Sequence, residues 1–172
     1  MEAGKMLRFP LDKEERDLVI CSWAKVSSDG RFGEQVFIQI FMYRPAIKRI
    51  FGLEQLSAVD LPSNANFCKH TQSFARYIGL VVEAIREGGD ESAAWASITQ
   101  VGADHIRFTK GVKFDTAYWT LFVDAICDEL DRALGENGKK RARVLAAWRS
   151  LFTAVVGEMK EAYLKELEQL SP

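Results

Sequence analysis

Apolar residues in this chain recur at intervals of three and four, the repeat that lines one face of an α-helix, and show no sustained strand-type alternation. Asp12 and Glu15 form a capping-box pattern ahead of Val19, Trp23 and Val26, which predicts a first helix up to a break at residues 27–30. Phe37, Ile40 and Phe41 mark a second helix. It should stop near Arg44, because Pro45 disfavours helical geometry in the residue before it, and Pro45 itself opens a short helical turn to Phe51. Residues 52–62 read as a connection, after which Ser63 or Asn64 caps a long helix with Phe67, His70, Phe74, Ile78, Val81 and Ile85 on one face. Gly88, Gly89 and Asp90 end that helix. Ile98, Val101, His105 and Phe108 define a shorter one. Asp115 or Thr116 caps the next, through Trp119, Phe122, Val123 and Ile126, and a turn at 135–138 precedes a last helix to about residue 168. The pattern predicts an all-α fold without sheet or solenoid repeat.

Composition narrows what such a fold can do. At 172 residues, 48% of them hydrophobic, the chain fits one domain that buries its own core without disulfides or a zinc staple. Twenty-three basic residues against 24 acidic ones leave a net charge of -1, and therefore no field to attract nucleic acid. Cys21, Cys68 and Cys127 are too few and too scattered for an extracellular disulfide framework, which points to a reducing, cytoplasmic setting. Cys21 and Cys127 are expected in the core and Cys68 nearer the surface. No run reaches the length of a membrane span, and the N-terminus carries no apolar signal core.

The common catalytic signatures are absent: no glycine-rich phosphate loop, no HExxH, no CxxC, no nucleophile elbow and no EF-hand loop. The chain therefore does not read as an enzyme. Cys68 and His70 are two helical positions apart, about 200° around the axis, so they cannot grip one ion. The two histidines, His70 and His105, are different, because each interrupts an apolar stripe. Buried imidazoles are most often hydrogen-bonded core residues, yet few polar side chains on these faces can serve as partners. A flat apolar cofactor with a metal at its centre would satisfy both rings.

The order and spacing of these residues resemble the globins. Pro45 and Phe51 resemble the proline and ring-stacking phenylalanine that open the region after the second globin helix. Gly33 falls where globins place a close-packing glycine, and Phe37 where they place a distal-pocket side chain. Trp23 resembles the first-helix tryptophan, His70 the distal histidine, Phe74 the pocket residue one turn on and His105 the proximal iron ligand, with Val101 one turn before it. Residues 111–113 and 146–156 are similar to neuroglobins, and the whole resembles neuroglobin-like and invertebrate, nematode-type haem globins over residues 12–165. The resemblance implies one globin domain over 1–172 with short flexible ends, in which seven to eight helices pack around haem b, iron protoporphyrin IX.

On that basis His105 and His70 are the expected metal ligands, and Phe37, Phe51, Phe74, Val101, Val112 and Phe152 the side chains against the porphyrin. Arg107, Lys110 and Lys69 are candidates to meet its propionates, although basic residues near helix ends are as readily plain solvated surface. Phe37 and Phe74 offer no hydrogen bond to bound oxygen, which together with the neuroglobin-like segments favours a bis-histidine, hexacoordinate iron. Such a protein suits electron transfer or redox and oxygen sensing, with an unidentified redox partner and oxygen, carbon monoxide or nitric oxide as gas ligands. A pentacoordinate oxygen-transport globin and a haem-free interaction module are the alternatives.

Overall fold

The computed structural model describes residues 9–109, 114–135 and 138–170. Among them every regular element is helical, six α-helices and three 3-10 segments. Helix α1 (Lys13–Val26) starts on the expected capping box: the Asp12 carboxylate accepts the Glu15 N–H at 2.8 Å, and Glu15 accepts the Asp12 N–H at 2.9 Å. Helix α2 (Phe32–Tyr43) stops two residues before Pro45, and a 3-10 segment (Pro45–Phe51) follows. A second 3-10 turn (Leu61–Ser63) leads into α3 (Ala65–Ala84), capped by Asn64 through the Phe67 N–H at 3.0 Å. Helix α4 (Glu91–Asp104) is capped by Asp90 and runs into a third 3-10 segment (His105–Thr109). Helices α5 (Ala117–Leu134) and α6 (Lys139–Leu170) complete the chain order.

Two glycines set how closely the helices cross. Gly33 of α2 lies on the Thr71 backbone of α3, and Gly102 of α4 on the Met159 backbone of α6; a Cβ at either position would overlap main-chain atoms. Both crossings sit beside a histidine-bearing segment. Away from the histidines, the fully buried Trp148 of α6 donates its indole N–H to Ser22 Oγ of α1 at 2.8 Å. The Ser22 hydroxyl lies 2.7 Å from the Leu18 carbonyl, so this buried polar pair is satisfied within the core.

Two expectations change. His105 does not belong to the α-helical stripe: α4 ends at Asp104, and the chain tightens to 3-10 geometry at the histidine. Cys21 is exposed rather than packed in the core, because Val19, Ser22 and Val26 occupy the inner face of α1. Of the two expected caps of α5, Thr116 occupies the N-cap position and Asp115 supplies the side-chain bond, accepting the Ala117 N–H at 2.9 Å. Cys127 is buried as expected, and burial pushes its thiol up to about 11. Among the described residues, no helix is long and apolar enough to cross a membrane.

Candidate functional site

His105 stands at the C-cap of α4, where the last turn of the helix holds its ring. Nδ1 lies 2.6 Å from the Val101 carbonyl, one turn back. A carbonyl only accepts, so Nδ1 carries the proton and the lone pair sits on Nε2. The ring packs on Trp119 edge-on at 5.1 Å and on Phe114 at 5.5 Å, and both of these rest on Tyr163 of α6, at 5.8 and 5.5 Å. Burial lowers the pKa of His105, against smaller opposing effects of the Val101 bond and the Asp104 charge, so the ring is neutral at pH 7. Asp104 itself is engaged by Gln100 Nε2 at 3.1 Å and Arg107 at 3.2 Å.

His70 is half-buried on α3 and meets Phe51 edge-on at 5.1 Å. Burial lowers its pKa first, and the Lys69 charge adds to the effect. Among the described residues no hydrogen bond fixes this ring. Around it lies a cluster centred on Phe37, whose ring contacts Phe74 and Phe122 at 5.3 Å, Phe51 at 5.4 Å and Phe67 at 6.4 Å. Trp119 and Phe122, three positions apart on α5, connect this cluster to the one around His105.

The structure thus brings Phe37, Phe51 and Phe74 together near His70, and Val101 to His105. Phe51, Phe74 and Val101 stay half-buried. Phe152 stacks on Trp148 at 5.6 Å with rings 9° from parallel. Arg107 is exposed and paired with Asp104, and Lys69 is exposed on α3. Lys110 and Val112 lie outside the described residues. Phe114 and Tyr163 carry no signal in the sequence that marks them for the site; the periodicity places Trp119 and Phe122 on an inward face but carries no sign of which ring each meets. Among the described residues, no three His, Cys, Asp or Glu side chains converge into a metal cage.

Comparison with known proteins gives the same order of elements a family. The family model for globins matches residues 34–159. Globin-related protein glb-13 of Caenorhabditis elegans is 24% identical over 158 residues, 91% of this chain; the chain spans about half of that protein's length, 54%. Anaerobic nitrite reductase NSHB5 of Oryza sativa subsp. japonica is 25% identical over 88% of this chain and 94% of its own length. Among solved structures, globin-like protein Glb-12 of C. elegans superposes with a TM-score of 0.80 at 17% identity, covering 92% of each chain. A hexacoordinated haem protein from an anhydrobiotic tardigrade superposes with a TM-score of 0.77 at 16% identity, covering 91% of this chain and 97% of that one. With the family match spanning most of its length and its helices arranged as in these structures, the chain belongs to the globin family.

Proposed function

We propose that this globin holds haem b between His105 and His70 and works as a hexacoordinate electron-transfer or redox and oxygen-sensing protein. The observation that carries the reading is the Val101 carbonyl on His105 Nδ1, because it commits the ring to the tautomer whose Nε2 donates to a metal and raises that donor's basicity. The rest of the site fits a planar apolar group. Phe51, Phe74 and Val101 keep apolar surface uncovered near two neutral imidazoles, which suits a cofactor that brings most of the iron's ligands itself. When bound, haem would supply an iron that cycles between ferric and ferrous states and can take an imidazole or a gas.

In this reading His105 would hold the iron permanently through Nε2. His70 would be the second, displaceable ligand, giving way to oxygen, carbon monoxide or nitric oxide, so gas affinity would be scaled down to the fraction of molecules in which His70 is displaced. Phe37, Phe51, Phe74, Val101 and Phe152 would pack the macrocycle, and Arg107 would meet the propionates. The whole of 1–172 acts as one such domain, in the cytoplasm, with an electron-exchange partner of its own. Support for hexacoordination comes from the absence of a hydrogen-bond donor among Phe37, Phe74 and Phe51 and from the tardigrade neighbour, which is described as hexacoordinated. The relative from Oryza is named for nitrite reduction; turnover of nitrite by the reduced, haem-loaded chain would move this reading from sensor to enzyme.

The test is the absorption spectrum of the haem-reconstituted chain, reduced without oxygen or carbon monoxide, beside His70→Leu. Low-spin bands that disappear in the variant are the expected result. A high-spin parent spectrum would establish a pentacoordinate, oxygen-binding globin instead. Failure of the parent to take up haem would leave an interaction module.

A further inference from the structure

The helix that carries His70 and the helix that leads into His105 are joined by a short corner, residues 85–90, and one guanidinium ties that corner together. Arg16 of α1 donates from Nη1 to the Glu91 carboxylate at 2.7 Å and to the Ile85 carbonyl at 3.3 Å, and from Nε to the Leu11 carbonyl at 3.1 Å. Ile85 is the C-cap of α3 and Glu91 the first residue of α4. Arg16 therefore bridges the end of the His70 helix and the start of the His105 helix. The other Glu91 oxygen accepts the Phe9 N–H at 2.8 Å, and the Phe9 ring stacks on Trp95 of α4 at 4.6 Å. Both side chains of the ion pair are only 21% exposed, so solvent screens it less than a surface pair, and the planar fork of Arg16 fixes several acceptors at once. Neither Phe9 nor Arg16 lies in the stretch that the family model matches.

We propose that Arg16, with Glu91 and Phe9, is a positioning node that sets how readily His70 closes on the iron. The inference rests on the bis-histidine reading. Closing His70 onto an iron already held by His105 requires α3 and α4 to keep one relative placement. A pinned corner has less freedom to lose on closure, so the closed state is favoured by preorganisation. Releasing the corner leaves the bond between iron and imidazole unchanged but makes closure less favourable.

The experiment is flash photolysis of the carbon monoxide complex of the full, haem-loaded chain, in which His70 and carbon monoxide compete for the vacated position. Arg16→Met, which keeps the aliphatic packing, is compared with Glu91→Gln and Arg16→Lys, each also combined with His70→Leu. The expected result is a fall in the His70 binding constant of about fivefold or more in Arg16→Met, a smaller fall in Glu91→Gln, and partial recovery in Arg16→Lys. In the His70→Leu background the same substitutions should leave carbon monoxide association unchanged. An unchanged His70 constant in a low-spin parent overturns the node alone. Equal effects with and without His70 reduce it to ordinary packing and also overturn it. A high-spin parent overturns the bis-histidine reading, and the node with it. If Arg16→Met does not fold, Glu91→Gln decides by the same readout.

Discussion

His105 is fixed from two directions, by the 2.6 Å contact of Nδ1 with the Val101 carbonyl and by the Trp119 and Phe114 rings, whereas His70 meets the edge of Phe51 and has no described hydrogen bond to hold it. The difference is more than one of degree. A ring locked in tautomer and angle can act as a permanent ligand, while a ring held by one aromatic contact can swing away and return. The surroundings follow the same division. The residues around His105 rest on the long helix α6 through Tyr163, and those around His70 are a set of phenylalanines gathered from α2, α3, α5 and the 3-10 segment that follows α2.

The largest effect expected from this asymmetry is in haem retention. Replacing His105 with glycine should raise haem loss by more than the roughly 10–100-fold that second-shell changes cost metal sites, and added imidazole should restore the spectrum by refilling the space. His70→Gly should lose far less haem and shift instead to a high-spin ferrous spectrum. Transfer of haem to an excess of apomyoglobin, followed by absorbance, measures both. Equal loss from the two variants would abolish the division between a permanent and a displaceable ligand.

The glycine crossings sharpen the same contrast with a smaller effect. Gly102→Ala must push α4 away from the Met159 backbone, three residues before His105, and Gly33→Ala must push α2 away from the Thr71 carbonyl, next to His70. Each should destabilise the fold by about 2–3 kcal/mol, since a Cβ against main chain cannot be relieved by a rotamer change. A loss of that size lowers the melting temperature by roughly 5–10 °C in a chain of this length. Their spectra should part company: Gly102→Ala weakens haem retention, and Gly33→Ala raises the high-spin fraction while retention holds. Calorimetry and a ferrous spectrum on each variant decide it.

Much of this architecture is legible from local signals. The Asp12–Glu15 box, the Asn64 cap and Pro45 act within a few residues of themselves, and the helices begin or end where those residues dictate. The close-packed Gly33 is legible through its place in the order and spacing of residues. What escaped depends on partners far away in the chain. The 3-10 geometry at His105 breaks the three-and-four repeat that the sequence continues through Phe108. Cys21 and Ser22 are neighbours, and only the indole of Trp148, 126 residues on, marks which of them faces inward. The Arg16 node joins side chains 75 residues apart, a pairing that periodicity does not encode.

The smallest predicted effect supplies the control for the others, because it alters stability far from both histidines. Asp131, near the end of α5, forms a two-pronged ion pair with Arg141 at the start of α6, across the turn between these helices. Hydrogen bonding to that guanidinium holds the Asp131 carboxyl below its ordinary range. The folded chain therefore keeps this carboxylate ionised to lower pH than the unfolded chain, and unfolded chains take up the proton first as acid is added. The stabilisation is complete above the unfolded value, near pH 4, and is lost as pH falls through the folded value. Asp131→Asn should lower the melting temperature slightly at pH 7, and the gap from the parent should close as the pH is taken below about 4. The haem spectrum should not change at any pH where the protein is folded. A shift toward high spin in this variant would mean that any loosening of the fold releases His70, and the spectra of the two glycine variants would then report stability instead of position.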